Sequence, residues 1–236
     1  MKRVIKQILI VIAILAGICV IVVGFFAIKG AIMWNDAKSA NPITQVVEQL
    51  RAEDGFVKYE ELPQFYIDAV VSVEDRKFFT HGGINPKSIA RALLHDISTL
   101  SLEQGGSTIT QQVAKNLWFT QEKRLERKFA EVFAAFDLEK ELSKEEIFEL
   151  YVNSIYFGSG YYGISAAANG HYGKSVDELS DYECAMLAGL PNAPSVYAPN
   201  ENPQLARRRL ELVLDSMLNN GAISQEKRDE VSQAGN

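Results

Sequence analysis

From Ile8 to Ile28 the chain runs 21 residues without a charged side chain. At 1.5 Å per residue a helix of that length crosses the ~30 Å hydrocarbon core of a bilayer. Lys2, Arg3 and Lys6 precede it, and positive charge on a short leading segment holds that end in the cytoplasm. The expected topology is therefore a basic cytoplasmic N-terminus over 1–7, a transmembrane anchor over 8–28, and everything after Lys29 on the outer face of the cytoplasmic membrane, whether periplasmic or extracellular. The run is longer than the roughly 7–15 apolar residues of a signal peptide and no Ala-x-Ala cleavage site follows, which favours an uncleaved anchor. The residues that remain are enough for one globular domain with a proper core. Residues 29–54, with Asn41-Pro42 and mixed polar side chains, read as a connector with at most short structure. The domain proper is expected over 55–236.

The net charge of −6 would be more negative without the N-terminal lysines and arginine, so nucleic acid is not an expected partner. Cys19 lies in the apolar run and Cys184 in Cys184-Ala185-Met186-Leu187-Ala188; the topology keeps them apart, and no disulfide is expected. Cys184 reads as a small buried hydrophobe.

Helical periodicity dominates beyond residue 62 and strand signals are sparse, which predicts a mainly α domain. Pro63 suits a helix first turn, and Phe65, Ala69, Val70 and Val73 form a stripe that delivers Glu74 and Asp75 at the helix end. Asn85-Pro86 is expected to cap a helix through Ile89, Ala90, Leu93 and Leu94, followed by a loop from His95 to Gln104 near the membrane. Phe129, Val132, Phe133 and Phe136 mark a buried helix. Ser143-Lys144-Glu145-Glu146 is a capping box opening another through Ile147, Leu150 and Tyr151. A charged helix from about Pro203 to Asn219 closes this part of the chain.

Three clusters carry polar chemistry. Gly105-Gly106-Ser107-Thr108-Ile109-Thr110-Gln111-Gln112-Val113-Ala114-Lys115-Asn116 is a glycine turn entering a helix, with Ser107 the expected N-cap. The spacings Gln111 to Lys115 and Gln112 to Asn116 set amides and a cation on successive turns, either as a solvated face or as a seat for phosphate and sugar oxygens at a helix N-terminus. Glu74-Asp75-Arg76-Lys77-Phe78-Phe79-Thr80-His81-Gly82-Gly83 places two carboxylates beside aromatic rings. Such an acid is either paired with Arg76 or Lys77, or desolvated and raised in proton affinity as a general base or acid requires. His81 before Gly-Gly holds a turn or takes part in catalysis. Lys123-Arg124-Leu125-Glu126-Arg127-Lys128-Phe129-Ala130-Glu131 is either a solvated, salt-bridged face or a diphosphate clamp with a second carboxylate.

Taken in order, the clusters resemble the glycosyltransferase family 51 domain, the peptidoglycan polymerase module of class A penicillin-binding proteins and of monofunctional transglycosylases. The family's Glu-Asp-x-x-Phe-x-x-His-x-Gly stands here as Glu74, Asp75, Phe78, His81 and Gly83; its Gly-Gly-Ser-Thr-Ile-Thr-Gln-Gln-x-x-Lys-Asn is complete from Gly105 to Asn116; its Arg-Lys-x-x-Glu is Arg127, Lys128 and Glu131. Glu149-Leu150-Tyr151-Val152-Asn153 and later glycine-aromatic segments also match, over about residues 55 to 215. His171-Tyr172 departs from the family's usual aromatic followed by Phe-Gly-Lys.

The resemblance implies a lysozyme-like α lobe with a smaller membrane-facing lobe. It implies polymerisation of lipid II into glycan strands by inverting transfer, with release of undecaprenyl diphosphate. The counterparts of Glu74 and Glu131 are the essential acids, the first as base. Lys115, Lys123, Arg124, Arg127 and Lys128 are expected to face the diphosphate. Asp75, Phe78, His81, Ser107, Thr108, Gln111, Gln112 and Asn116 are expected to position substrate. No cofactor is obligatory, and a divalent Mg or Mn ion beside Glu131 is left open. The expected partners are lipid II, the growing glycan strand, the cytoplasmic membrane and other cell-wall synthesis or division proteins. None of the Ser-x-x-Lys or Lys-Thr-Gly motifs that a transpeptidase domain needs is expected in the chain. Polymerisation without peptide crosslinking is expected, insensitive to β-lactams and sensitive to moenomycin-type phosphoglycolipids. A lysozyme-like cell-wall hydrolase and a non-catalytic cell-wall scaffold are the alternatives; the cationic clusters argue against the first and the two intact glutamates against the second.

Overall fold

The computed structural model describes residues 2–85, 106–120 and 124–234. Among them the fold is mainly α, with no strand and a single antiparallel bridge between Tyr156 and Tyr162. The expected helix after Pro86, the loop to Gln104, and Gly105 and Lys123 lie outside the described residues.

The first helix, α1, spans Lys2–Ala40 without interruption. It is exposed along its apolar length, with Val20 and Ile21 about 70% exposed, and is long and apolar enough to cross a membrane. The expected connector is instead helical. The second half of α1 packs along α5 (Leu125–Glu141), and α2 (Ile43–Arg51) buries Ile43, Val47 and Leu50 on one stripe. The reason is visible at Trp34, which is only 4% exposed: it stands edge-on to Trp118 and donates its indole N–H to Asp137 Oδ2 at 2.9 Å. Lys38 reaches the same oxygen at 2.7 Å and Lys140 the other at 3.1 Å. Burial alone would raise the Asp137 carboxyl, but these donors overcome it and hold the group at about 2. Its contribution to stability is therefore present at neutral pH and is lost progressively as pH falls from the ordinary carboxylate range through about 2.

Helix α1 can approach α5 this closely because residue 30 is glycine. A Cβ there would stand 2.5 Å from Phe129 Cβ and 2.8 Å from the Ala130 backbone nitrogen. Gly30→Val should force the helices apart at a cost of about 1–3 kcal/mol. The expected result is a fall in melting temperature of roughly 3–10 °C, read by calorimetry in detergent.

Helix α3 (Gln64–Glu74) follows Pro63 as expected and packs against α8 (Asp181–Gly189) and α9 (Pro203–Asn219). Helix α4 (Ile109–Trp118) lies on α5 and α6 (Lys144–Ser154), burying Ile109, Val113 and Ala114. Helix α7 (Ile164–Tyr172), a one-turn helix over Pro194–Tyr197 and a final α10 (Gln225–Gln233) are the other α-helices among the described residues. The capping box at Ser143 and Glu146 forms as read, with reciprocal bonds of 3.2 and 2.9 Å. In α5 the buried face is Ala130, Glu131, Ala134, Ala135 and Leu138, while Phe136 is 38% exposed and Phe129, Val132 and Phe133 are half-buried. Close packing against α1 and α4 selects alanines there, which corrects the aromatic stripe expected. Both cysteines are free, and burial pushes the Cys184 thiol up to about 12.

Candidate active site

Glu74 is the last residue of α3, and Asp75 caps that helix with a non-helical backbone, φ −155° and ψ 78°. The two neighbouring carboxylates therefore leave the helix in different directions and take up different work.

Asp75 is 6% exposed and fully engaged. It accepts the His81 Nε2–H at 2.8–2.9 Å and the backbone N–H of Ile109, the first residue of α4, at 3.2 Å. It fastens the end of α3 to the start of α4, with His81 as its buttress. Phe78, expected to touch substrate, offers no surface for it: the ring is fully buried, edge-on to Phe79, tilted against Phe148 and covered by the Lys144 ammonium at 4.4 Å. Phe78 is a packing residue.

At the start of α4 the N-cap is Thr108, one residue later than expected. Its hydroxyl accepts the Gln111 N–H at 3.2 Å, the Gln111 side chain accepts the Thr108 N–H at 3.0 Å, and Thr108 Oγ1 donates to the Gly83 carbonyl at 2.6 Å. Gln111 is thereby 2% exposed and committed to the cap. The displaced Ser107 instead accepts from Lys128 Nζ. Asn116 has no hydrogen-bond partner among the described residues and is half-buried.

Glu74 is 12% exposed at its side chain. Gln112, one turn into α4, donates to Glu74 Oε2 at 2.9 Å, and Arg209 Nη2 of α9 lies 3.7 Å from Oε1. Burial raises the proton affinity of Glu74 above the usual carboxylate range; the Gln112 bond and the charges of Arg209 and Lys115 oppose that without cancelling it. Arg209 is the residue that sequence reasoning missed, because a helix so rich in charge reads as a solvated face. It is held by three contacts: its Nε donates to the Gly189 carbonyl at 3.0 Å, its guanidinium covers the Tyr197 ring at 5.8 Å, and its stem runs where a Cβ on residue 189 would meet Cγ at 2.9 Å. Beside Glu74 opens a cleft of about 550 Å³, walled by the end of α3, the residues Gly106–Thr108 and the end of α9 at Asn219 and Asn220.

Ser107, at the rim of this cleft, leads to a second group. Glu131 is 1% exposed and lies 2.9 Å from Arg127 Nε and 2.8 Å from Lys128 Nζ. The lysine makes a hydrogen bond, whereas the Arg127 N–H is aimed away from the carboxylate and the contact is purely ionic. Arg127 also donates to the Thr120 carbonyl at 2.8 Å. The Lys115 ammonium, half-buried on the facing helix, has no hydrogen-bond or ion-pair partner among the described residues. Burial lowers its proton affinity, the Glu131 charge raises it, and Lys128 and Arg127 lower it again. Three cations thus surround one carboxylate, a surplus of positive charge suited to a polyanion. No group of three or more His, Cys, Asp or Glu gathers among the described residues. With cations already at both Glu131 oxygens, its donor set does not fit a divalent ion.

Arg124 stands apart from this group, at the mouth of a separate groove with Lys29. Glu149 and Asn153 tie α6 to the segment before α3, through Arg51, the Tyr59 N–H and both backbone groups of Val57. His171 packs edge-on to Tyr161 and bonds the Phe157 carbonyl at 3.3 Å. Ser224 and Lys227 do spell Ser-x-x-Lys, but the serine caps α10 and the lysine is paired with Asp181 and Glu230, each at 2.8 Å.

The family model described as Transglycosylase matches residues 40–218. Penicillin-binding protein 1A of Aquifex aeolicus is 47% identical over 175 residues, 74% of this chain and 24% of the relative. Its namesake from Neisseria flavescens is 42% identical over 175 residues, again 74% of this chain and 22% of the relative. A crystal structure of penicillin-binding protein 1A from Haemophilus influenzae aligns over 75% of this chain and 17% of that one, at 26% identity and a TM-score of 0.44. The chain spans less than a quarter of the length of the curated relatives it matches. With the profile covering most of its length, the chain belongs to the transglycosylase family.

Proposed function

We propose that this chain is a peptidoglycan glycosyltransferase that joins lipid II disaccharides into linear glycan strands with inversion. The observation that carries the reading is Glu74: a buried carboxylate of raised proton affinity, gripped by Gln112 and Arg209 on the wall of a cleft. In the reaction, Glu74 takes the proton from a sugar hydroxyl of one substrate as that oxygen forms a bond to the anomeric carbon of the other. The bond from that carbon to the diphosphate breaks, and its electrons leave with undecaprenyl diphosphate. Lys115, Arg127 and Lys128 neutralise the departing charge, with Glu131 holding the latter two in place. Lys123, outside the described residues, is a further candidate for the same diphosphate, whereas Arg124, expected there from the resemblance, lines the separate groove beside Lys29. Gln112, Ser107 and Asn116 position polar oxygens, while Asp75, His81, Thr108 and Gln111 hold the geometry of the α3 to α4 junction.

The anchor explains the surplus of apolar surface on α1. Its substrate is tethered to the bilayer by a polyprenyl chain, and an enzyme with its N-terminus in the cytoplasm and its domain on the outer face meets that substrate at high local concentration. Purified chain incubated with lipid II in detergent should yield long strands and one undecaprenyl diphosphate per bond formed. Production should be blocked by moenomycin, and a penicillin should leave no adduct on the protein. Shortening of preformed strands instead of growth would make it a hydrolase.

Arg209 gives a separate check. Arg209→Met removes a cation that opposes the burial of Glu74, so the carboxyl's proton affinity rises further. The acid limb of kcat/KM should move to higher pH, with the activity lost along that limb recovered in more alkaline buffer. A uniform loss at every pH would assign Arg209 to substrate contact instead.

A further inference from the structure

Immediately beyond the apolar span, α1 and the start of α5 enclose a groove of about 450 Å³. Its lining is Lys29, Ile32, Met33, Asp36, Arg124 and Glu126: an apolar floor, two cations and two carboxylates. Lys29 and Asp36 are seven residues apart on α1, hence on one face and about 10 Å apart along the axis. The Lys29 ammonium is half-exposed, lies 4.0 Å from Glu126 and covers the Phe25 ring at 5.1 Å. Asp36 is exposed and has no partner among the described residues. Around the groove the apolar side chains Ile28, Ile32 and Leu125 are 57–65% exposed.

A simple anion entering this groove would meet two carboxylates, and a simple cation would meet Lys29 and Arg124. A ligand bearing both charges a few ångströms apart, with an apolar tail, brings a cation to the unpartnered Asp36 and an anion to the half-exposed Lys29. We propose that the groove binds one bilayer phospholipid whose headgroup carries a phosphate and a primary ammonium. The phosphate lies against Lys29 and Arg124, the ammonium against Asp36 and Glu126, and an acyl chain runs along Ile28 and Ile32. The proposal rests on the reading of α1 as a membrane anchor, which places Lys29, the first charge after the span, at headgroup depth. A primary ammonium donates three hydrogen bonds to carboxylates, a choline headgroup donates none, and a glycerol headgroup brings no cation. Selectivity among headgroups is therefore its signature.

The test embeds the full chain in nanodiscs containing equal parts of phosphatidylethanolamine, phosphatidylcholine and phosphatidylglycerol. Lipids retained after transfer to detergent are counted by native mass spectrometry. The ethanolamine lipid should be retained about fivefold over either of the others. Asp36→Asn should remove that preference, and Lys29→Gln should lower retention of every phospholipid. Equal retention, a preference for phosphatidylglycerol, or an ethanolamine preference that survives Asp36→Asn would overturn the proposal. A chain that fails to enter the nanodiscs at all would overturn the anchor reading and this one with it, a result distinct from loss of selectivity alone.

Discussion

Glu74→Gln abolishes polymerisation of lipid II, lowering kcat/KM at least about 10³-fold, while the protein remains folded. The size follows from the step removed: general-base catalysis contributes about 10²–10⁴-fold, and the glutamine amide cannot take a proton. The fold should survive because glutamine keeps the shape and can still meet Gln112. Burial disfavours the Glu74 charge, so the native state binds its proton more tightly than the unfolded chain does. That linkage makes the ionised carboxylate a destabilising element at neutral pH. The variant's melting temperature should consequently equal or exceed that of the wild type, and the gain should shrink as pH falls and Glu74 protonates. A folded Glu74→Gln protein that still makes polymer would remove Glu74 from the chemistry.

Glu131→Gln combines a loss of activity with a loss of stability, and the pairing of the two is its signature. The carboxylate is 1% exposed and lies within 3 Å of Arg127 and Lys128, with Lys115 on the facing helix feeling its charge. Removing the one anion leaves three cations to repel one another across α4 and α5. Deleting one partner of a buried ion pair costs about 3–5 kcal/mol, which corresponds to a fall in melting temperature of roughly 10 °C for a domain of this size. Polymerisation should fall about 10²-fold, since the groups that meet the diphosphate lose their common tether. Below its melting point the variant should also gain stability on adding phosphate or pyrophosphate more than the wild type does, because a polyanion supplies the missing charge. A variant of unchanged stability and normal rate would reduce Glu131 to a bystander.

The parts of the fold legible in the sequence were those whose signals are local. The capping box at Ser143, the run from Pro203 to Asn219 and the delivery of Glu74 to a helix end each depend on a few adjacent residues, and each stands where expected. The connector over 29–54 was misread because its stability is not local. Polar spacing hid Trp34 and Lys38, whose partner Asp137 lies about a hundred positions away. The same limit applied to the site. Spacing brought out Gln112, Lys115 and the Arg127 to Glu131 group, but it could not show that Gln111 is spent on a cap or that Phe78 is enclosed. Nor could it show that Arg209 crosses to Glu74, since the only trace is the Gly189 that makes room for it.

The pH dependence of kcat/KM for lipid II polymerisation by the wild-type chain tests the central claim most directly, because that profile reports the free enzyme's essential groups. A buried base of raised proton affinity predicts a rate that falls on an acid limb lying above the usual carboxylate range, with a single ionisation that disappears from the residual activity of Glu74→Gln. A rate that stays flat from neutral pH down through the ordinary range of an exposed glutamate would contradict it, and the proton would then have to leave by some route other than Glu74.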